Sequence, residues 1–225
     1  MFNKKLPNHQ RGQGLLELII AIGIILACTI ATLTLVITSI QAGRRGTDKI
    51  IATNLAREGI ELVRNIRDSN WINATSNIEN PLTTDVYKWD DGLVGPSNDS
   101  TAIPIIDNTN PSSIDFTPNS WTDKCNEKEC TRIFLTGDNY YIQNTDPSGT
   151  ALNFYRLLYL NPICLNPNDG TEKIVDQEET VNCGGSGYES YTEKIGIRVI
   201  SEVRWPSPDK NKVILEDRLY NWRTI

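Results

Sequence analysis

The chain reads as an α+β protein, with one long N-terminal helix, membrane-spanning in its first half, packed on an antiparallel β-sheet. Three observations predict this. Leu15 to Ile40 is an apolar run with one charged residue in it. Beyond it, apolar residues recur at helical spacing as far as Ile66. From Thr131 onward the texture changes to short runs rich in Ile, Val, Tyr and Phe, which suit strands. A helix followed by a series of strands is the α+β order.

The apolar run holds 26 residues, with Glu17 as its only ionisable carboxylate and no Lys, Arg or His. A helix of that length reaches about 39 Å, against a bilayer core of about 30 Å. Lys4, Lys5 and Arg11 precede it, which keeps the short N-terminal end cytoplasmic and the rest outside. Glu17 is out of place, since a carboxylate at the centre of a membrane helix costs about 2.5–3.5 kcal/mol and less near an end. It calls for a partner.

Gly43-Arg44-Arg45-Gly46 marks the exit from the membrane, with glycines that loosen the helix and arginines suited to headgroups. Periodicity then resumes. Ile51, Leu55, Leu62 and Ile66, with Ala52, Ala56, Gly59 and Val63 beside them, form one stripe. Arg57 with Glu61, and Glu61 with Arg64, have ion-pair spacing on another face. The helix is therefore expected to continue to about Asp68.

Residues 72–130 carry the turn pairs Asn80-Pro81, Gly95-Pro96, Asn110-Pro111 and Thr117-Pro118, with short apolar pieces at Val86–Trp89 and Ala102–Ile106 as strand candidates. Clearer strands are expected at Thr131–Thr136, Asn139–Gln143, Phe154–Leu160, Lys194–Trp205 and Lys212–Trp222. In the fourth, Ile195, Ile197, Val199 and Ser201 share one face and Gly196, Arg198, Ile200 and Glu202 the other. Pro206-Ser207-Pro208-Asp209 turns it into a hairpin with the fifth.

Composition narrows function. The net charge is -6, and subtracting the three positive charges of residues 1–12 gives -9 for the remainder. An acidic domain is a poor nucleic-acid binder, so no nucleic-acid partner is expected. The single histidine, His9, lies in the first twelve residues, and without them His-based acid–base and nucleophilic chemistry has no histidine to use. We expect no enzyme, no catalytic residue, no cofactor and no metal. Asn166-Pro167-Asn168-Asp169-Gly170 has the flavour of a calcium loop but puts Leu165 and Pro167 where ligands belong, so it reads as a turn. Asn73-Ala74-Thr75 and Asn98-Asp99-Ser100 match the glycosylation sequon, a frequent chance match.

Cys28 sits in the apolar run, where it reads as a small packing residue. Cys125, Cys130, Cys164 and Cys183 lie outside it and read as two disulfides, in one of three connectivities. Cys125–Cys130 and Cys164–Cys183 are favoured, since each pair brackets a polar loop. Four thiolates holding zinc are disfavoured by the lack of a C-x₂-C spacing.

The start of the chain decides its class. An ordinary secretory signal would cut near Ala27-Cys28-Thr29, and a lipoprotein signal would acylate Cys28, but Ile30 to Ile40 continues apolar after both. A plain signal anchor explains the span and leaves Glu17 unexplained. Gly12, followed five positions later by Glu17 after a basic leader and before an apolar helix, resembles the class III signal of type IV pilins and pseudopilins. The resemblance implies a cut between Gly12 and Gln13 by a prepilin peptidase, methylation of the new amine of Gln13, and Glu17 neutralising a neighbouring subunit's amine during assembly. Leu55 to Trp71 is similar to the same helix in pilin-like minor subunits of the V type. Departures are Gln13, where the family usually has an apolar aromatic residue, and Thr32–Thr34, where many major pilins carry a kinking proline. This points toward a minor pilin or pseudopilin.

On this reading residues 1–12 are the leader peptide, 13–43 the transmembrane and assembly half of the helix, and 44–70 its extracytoplasmic half. Residues 71–130 are a variable loop region and 131–225 the sheet region of the head. The expected partners are other pilin subunits, the prepilin peptidase, the pilus or secretion assembly platform and membrane lipid. The expected location is the inner (cytoplasmic) membrane, single-pass with the head outside, and the cell surface after assembly. The alternative is a single-span, membrane-anchored extracytoplasmic binding module that does not assemble.

Overall fold

A computed structural model describes residues 13–78, 88–93, 101–105, 113–116, 124–125, 128–143, 149–175, 183–185, 187–205 and 211–222, with backbone alone at 13, 74–78, 124, 125, 128 and 129. Residues 1–12 with Gly12, the four proline pairs of residues 72–130, the Asn98 sequon and residues 206–209 lie outside these residues. The chain divides into two compact units between Asp48 and Lys49.

Helix α1 spans Gln13–Ile78, 66 residues without a break. It runs through Gly43 and Gly46, where the sequence suggested loosening, and ends ten residues beyond the expected Asp68. Between Gly59 and Pro81 there is neither Gly nor Pro, so nothing in the backbone stops it. Packing favours the extension as well, because Trp71 is buried and stacks at 5.1 Å on Trp222. In the first unit the side chains of Leu15 to Ile40 are all exposed, and α1 is long and apolar enough there to cross a membrane.

Among the described residues ten strands follow. They are β1 (Thr101–Ile105), β2 (Ser113–Asp115), β3 (Lys124–Cys125), β4 (Lys128–Glu129), β5 (Arg132–Leu135), β6 (Tyr141–Ile142), β7 (Thr150–Leu165), β8 (Glu172–Ile174), β9 (Glu193–Trp205) and β10 (Asn211–Tyr220). Eight form one antiparallel sheet, ordered β10-β9-β7-β1-β2, and β3 pairs β4 apart from it. The sheet is organised by β7. One of its edges pairs with β9 from Tyr155 to Leu165. The other is shared by β5, β1 and β8 in turn.

Of the two strand candidates in residues 72–130, one changes and one holds. Trp89 sits in a turn rather than a strand, held where Leu93 N–H donates to the Asp90 carbonyl at 3.0 Å. Residues 101–105 are a strand, as expected for Ala102–Ile106, and join the main sheet from inside the region read as variable loop. Strand β7 runs on past Leu160 through Pro162, and the register slips one step later, between Ile163 and Cys164. Proline reads as a stop in a central strand, but the Pro162 carbonyl accepts from Val175 N–H at 3.0 Å, so the proline nitrogen faces the β8 side, between the last β1 pair at Tyr159 and the first β8 pair at Ile163, and no donor to β9 is lost.

In the second unit α1 lies on this sheet. Leu55, Ala56, Ile60 and Val63 pack against Leu158 and Leu160 of β7 and Ile197, Val199 and Val203 of β9, in two adjoining clusters. These alternate positions of β9 are the face expected from its pattern. Each large aliphatic side chain buried here contributes about 1.5–3 kcal/mol. Of the two expected ion pairs on α1, Arg64 meets Glu61 at 2.5 Å, while its other nitrogen reaches Asp217 of β10 at 2.6 Å. Arg57 makes no ion pair among the described residues.

Cys164 and Cys183 form a disulfide with Cα atoms 5.5 Å apart. Cys130 is also disulfide-bonded. Its expected partner, Cys125, has its side chain outside the described residues, though the β3–β4 hairpin brings its backbone opposite Lys128. Cys28 is a free, exposed thiol.

Candidate functional site

The first unit carries the sequence-predicted assembly residues. Gln13 is the first residue of α1, and Glu17 lies four residues on, exposed and about one turn away. Glu17 thus sits near the start of an otherwise apolar helical surface. The threonines of that surface conceal their own polarity. Thr29 donates to the Ile25 carbonyl at 2.6 Å, Thr34 to Ile30 at 2.9 Å, Thr38 to Leu35 at 2.9 Å, and Thr32 to Cys28. A hydroxyl bonded back to its own helix needs no water, so these four residues are compatible with lipid. A carboxylate has no such recourse, because it has no proton to donate to its own helix.

In the second unit the most unusual residue is Arg156, which sequence reasoning missed. It projects from β7 toward α1 and is wholly buried. Its Nε donates to Gln143 Oε1 at 3.0 Å. Its Nη1 donates to the main-chain carbonyl of Leu55 at 2.9 Å and to Glu58 Oε2 at 2.9 Å. Gln143, also buried, donates through Nε2 to the carbonyls of Arg156 at 2.6 Å and Thr131 at 3.0 Å. Nη2 has no hydrogen-bond partner among the described residues. Burial holds the guanidinium below its ordinary pKa, and Glu58 opposes that fall. The signal was legible in principle: Arg156 is a charge in the middle of the apolar run from Phe154 to Leu160.

This arrangement is a clamp. A strand side chain grips the helix backbone, and a second side chain fixes the gripping arm. The half-buried Arg64–Asp217 pair, at 2.6 Å, ties the same helix to β10. A third ion pair joins Lys194 Nζ of β9 to Asp90 Oδ2 in the 88–93 turn at 2.7 Å.

Residues 166–170 form the expected turn. Gly170 adopts φ +72°, and its N–H donates to the Asn166 carbonyl at 2.9 Å. Asn168 N–H donates to Asn166 Oδ1 at 3.0 Å. Asp169 accepts from the hydroxyl of Thr171 at 2.6 Å and from its backbone N–H at 2.9 Å, which lowers the carboxyl pKa. Among the described residues no group of three or more His, Cys, Asp or Glu side chains is gathered where a metal could bind.

No family model, curated protein or solved structure matches the chain. The layout itself, one long apolar N-terminal helix and an antiparallel sheet, is pilin-like.

Proposed function

We propose that the chain is a structural subunit, a minor pilin or pseudopilin, that assembles through the first half of α1 into a type IV pilus or related secretion filament. The observation that carries this reading is Glu17. It is the sole carboxylate of the exposed apolar stretch from Leu15 to Ile40, one turn beyond the Gly12–Gln13 junction. A carboxylate and an amine brought to the same depth in lipid offset each other where either alone is costly. The first-unit threonines support it by masking their hydroxyls against the helix, and the head supports it by matching the pilin layout. The chain would be cut after Gly12, methylated on Gln13, held single-pass in the cytoplasmic membrane and drawn from there into the filament.

The deciding experiment has two parts. N-terminal sequencing of the membrane-bound protein should begin at Gln13, and a start at Met1 favours a simple anchored module. Glu17→Leu should insert and be cut as well as the wild type, since it takes a charge out of lipid and leaves Gly12 intact. The ratio of mutant protein in sheared filaments to that in the membrane should fall at least about a hundredfold, the size expected when one buried charge loses its partner at a cost of about 3–5 kcal/mol. Equal ratios for mutant and wild type overturn the assembly role.

A further inference from the structure

Between the 88–93 turn and the start of β9 lies a cavity of about 420 Å³, lined by Lys88, Asp90, Asp91, Cys183, Thr192 and Lys194. Cavities of this size accept small molecules. Its walls are fixed from several sides. Asn70 of α1 donates through Nδ2 to the carbonyls of Asp91 at 2.7 Å and Trp89 at 3.3 Å. Leu93, at the end of the same turn, is buried in the core. On the other side Cys183 is tied to β7 through its disulfide, and Gly184 N–H donates to the Tyr191 carbonyl at 2.8 Å.

The charges on these walls cancel: two ammonium groups face two carboxylates. The inner pair is committed to itself. Lys194 and Asp90 meet at 2.7 Å with side chains only 21% and 16% exposed, and the ammonium stands 5.5 Å from the centre of the Trp89 ring. Burial lowers the Lys194 pKa, Asp90 supports it, and Lys88 lowers it further. Lys88 and Asp91 are exposed.

An ionic group that reached the inner wall would have to split the Lys194–Asp90 pair and strand one largely buried charge, and at the rim a ligand of either sign meets Lys88 and Asp91 together, one opposing its charge and one repeating it. A hydroxyl group does not. It donates to a carboxylate oxygen and accepts from an ammonium or from the Thr192 hydroxyl, so it joins the pair without breaking it. Several hydroxyls on one rigid frame use this alternation of donors and acceptors best. We propose that this cavity is a binding site for a neutral polyhydroxylated ligand, a sugar residue. The site goes beyond the filament role and does not depend on it.

The test uses the full chain in a detergent without a sugar headgroup. Glucose, galactose, mannose and N-acetylglucosamine are titrated separately by saturation-transfer NMR and calorimetry, with acetate, sulfate and glycine betaine as charged or zwitterionic probes. At least one sugar should bind saturably, more tightly than any charged probe. Asp90→Asn and Thr192→Val should each weaken it by about two- to tenfold, the effect of deleting one hydrogen bond. Lys212→Gln, which alters a residue that does not line the cavity, should leave it unchanged. If Asp90→Asn fails to fold, the exposed Thr192→Val and Asp91→Asn substitutions decide. No saturable signal from any of the four sugars, tighter binding of a charged probe, or unchanged affinity in the cavity variants would overturn the proposal.

Discussion

At Gly59 the helix meets the sheet with no side chain between them. A Cβ placed there would lie 2.8 Å from Ser201 Oγ and 2.9 Å from Leu158 Cδ2, both on residues with no solvent exposure. Gly59→Ala would gain about 1 kcal/mol of helix propensity. It should lose about 1–3 kcal/mol to overpacking, so the expected outcome is a net fall in thermal midpoint. Gly59→Leu should fall much further, and a midpoint at or above wild type for the leucine variant would show that the layers do not close there. A second residue is informative at the surface. The Thr171 hydroxyl, then the Thr171 N–H, holds the Asp169 carboxyl below the usual carboxylate range. A depressed folded pKa contributes stability above the ordinary carboxylate pKa and loses it as pH falls through the lower folded value. Thr171→Val should therefore move the Asp169 midpoint upward in a carboxyl NMR titration, and an unmoved midpoint would contradict the hydrogen bond.

The joint between α1 and the sheet rests on Arg156 as well as on apolar packing. Arg156→Ala leaves the Leu55 carbonyl and Gln143 without their donor and opens a cavity, at a cost of about 3–5 kcal/mol. Arg156→Met fills much of the volume and should cost less, because an apolar replacement of like size removes the desolvated charge too. Chemical denaturation of the two variants checks the order, and equal losses would mean that filling the space brings no benefit. The disulfide acts on a different element pair. Cys164→Ser frees a loop of sequence separation 19, in which Lys173 stands 4.0 Å from the centre of the Tyr188 ring. The expected loss is about 2–4 kcal/mol, read as a lower denaturation midpoint that added reductant does not lower further by way of this bond.

Seen whole, the fold was most legible where physics acts locally. The apolar run, the stripe from Ala52 to Val63 and the alternation along β9 each follow from a period, and periods survive in a bare sequence. The Cys164–Cys183 bridge followed from loops that need closing. What stayed hidden depends on partners far along the chain. The strand at 101–105 showed in the sequence as a short apolar piece, but its place between β7 and β2 in the main sheet did not. The end of α1 depends on Trp222, and the burial of Arg156 depends on Leu55, Glu58 and Gln143. Glu17 was conspicuous in the sequence because its environment there is uniform, whereas the cavity beside Lys194 gathers residues from two distant segments and has no sequence motif.

The contact between Arg156 and the Leu55 carbonyl joins residues 101 positions apart, and that between Arg64 and Asp217 joins residues 153 apart. Synthesis at about 5–20 residues per second separates the latter two by about 8–30 s. The helix is thus the first part of the head to be made and the last to be covered. Its apolar stripe from Ala52 to Val63 waits, unpaired, for β7 and then β9 to arrive. A chain of this topology closes its core late, through non-local pairings that are intrinsically slow to form. The interval before closure is when it is most open to aggregation or to capture by a holding factor.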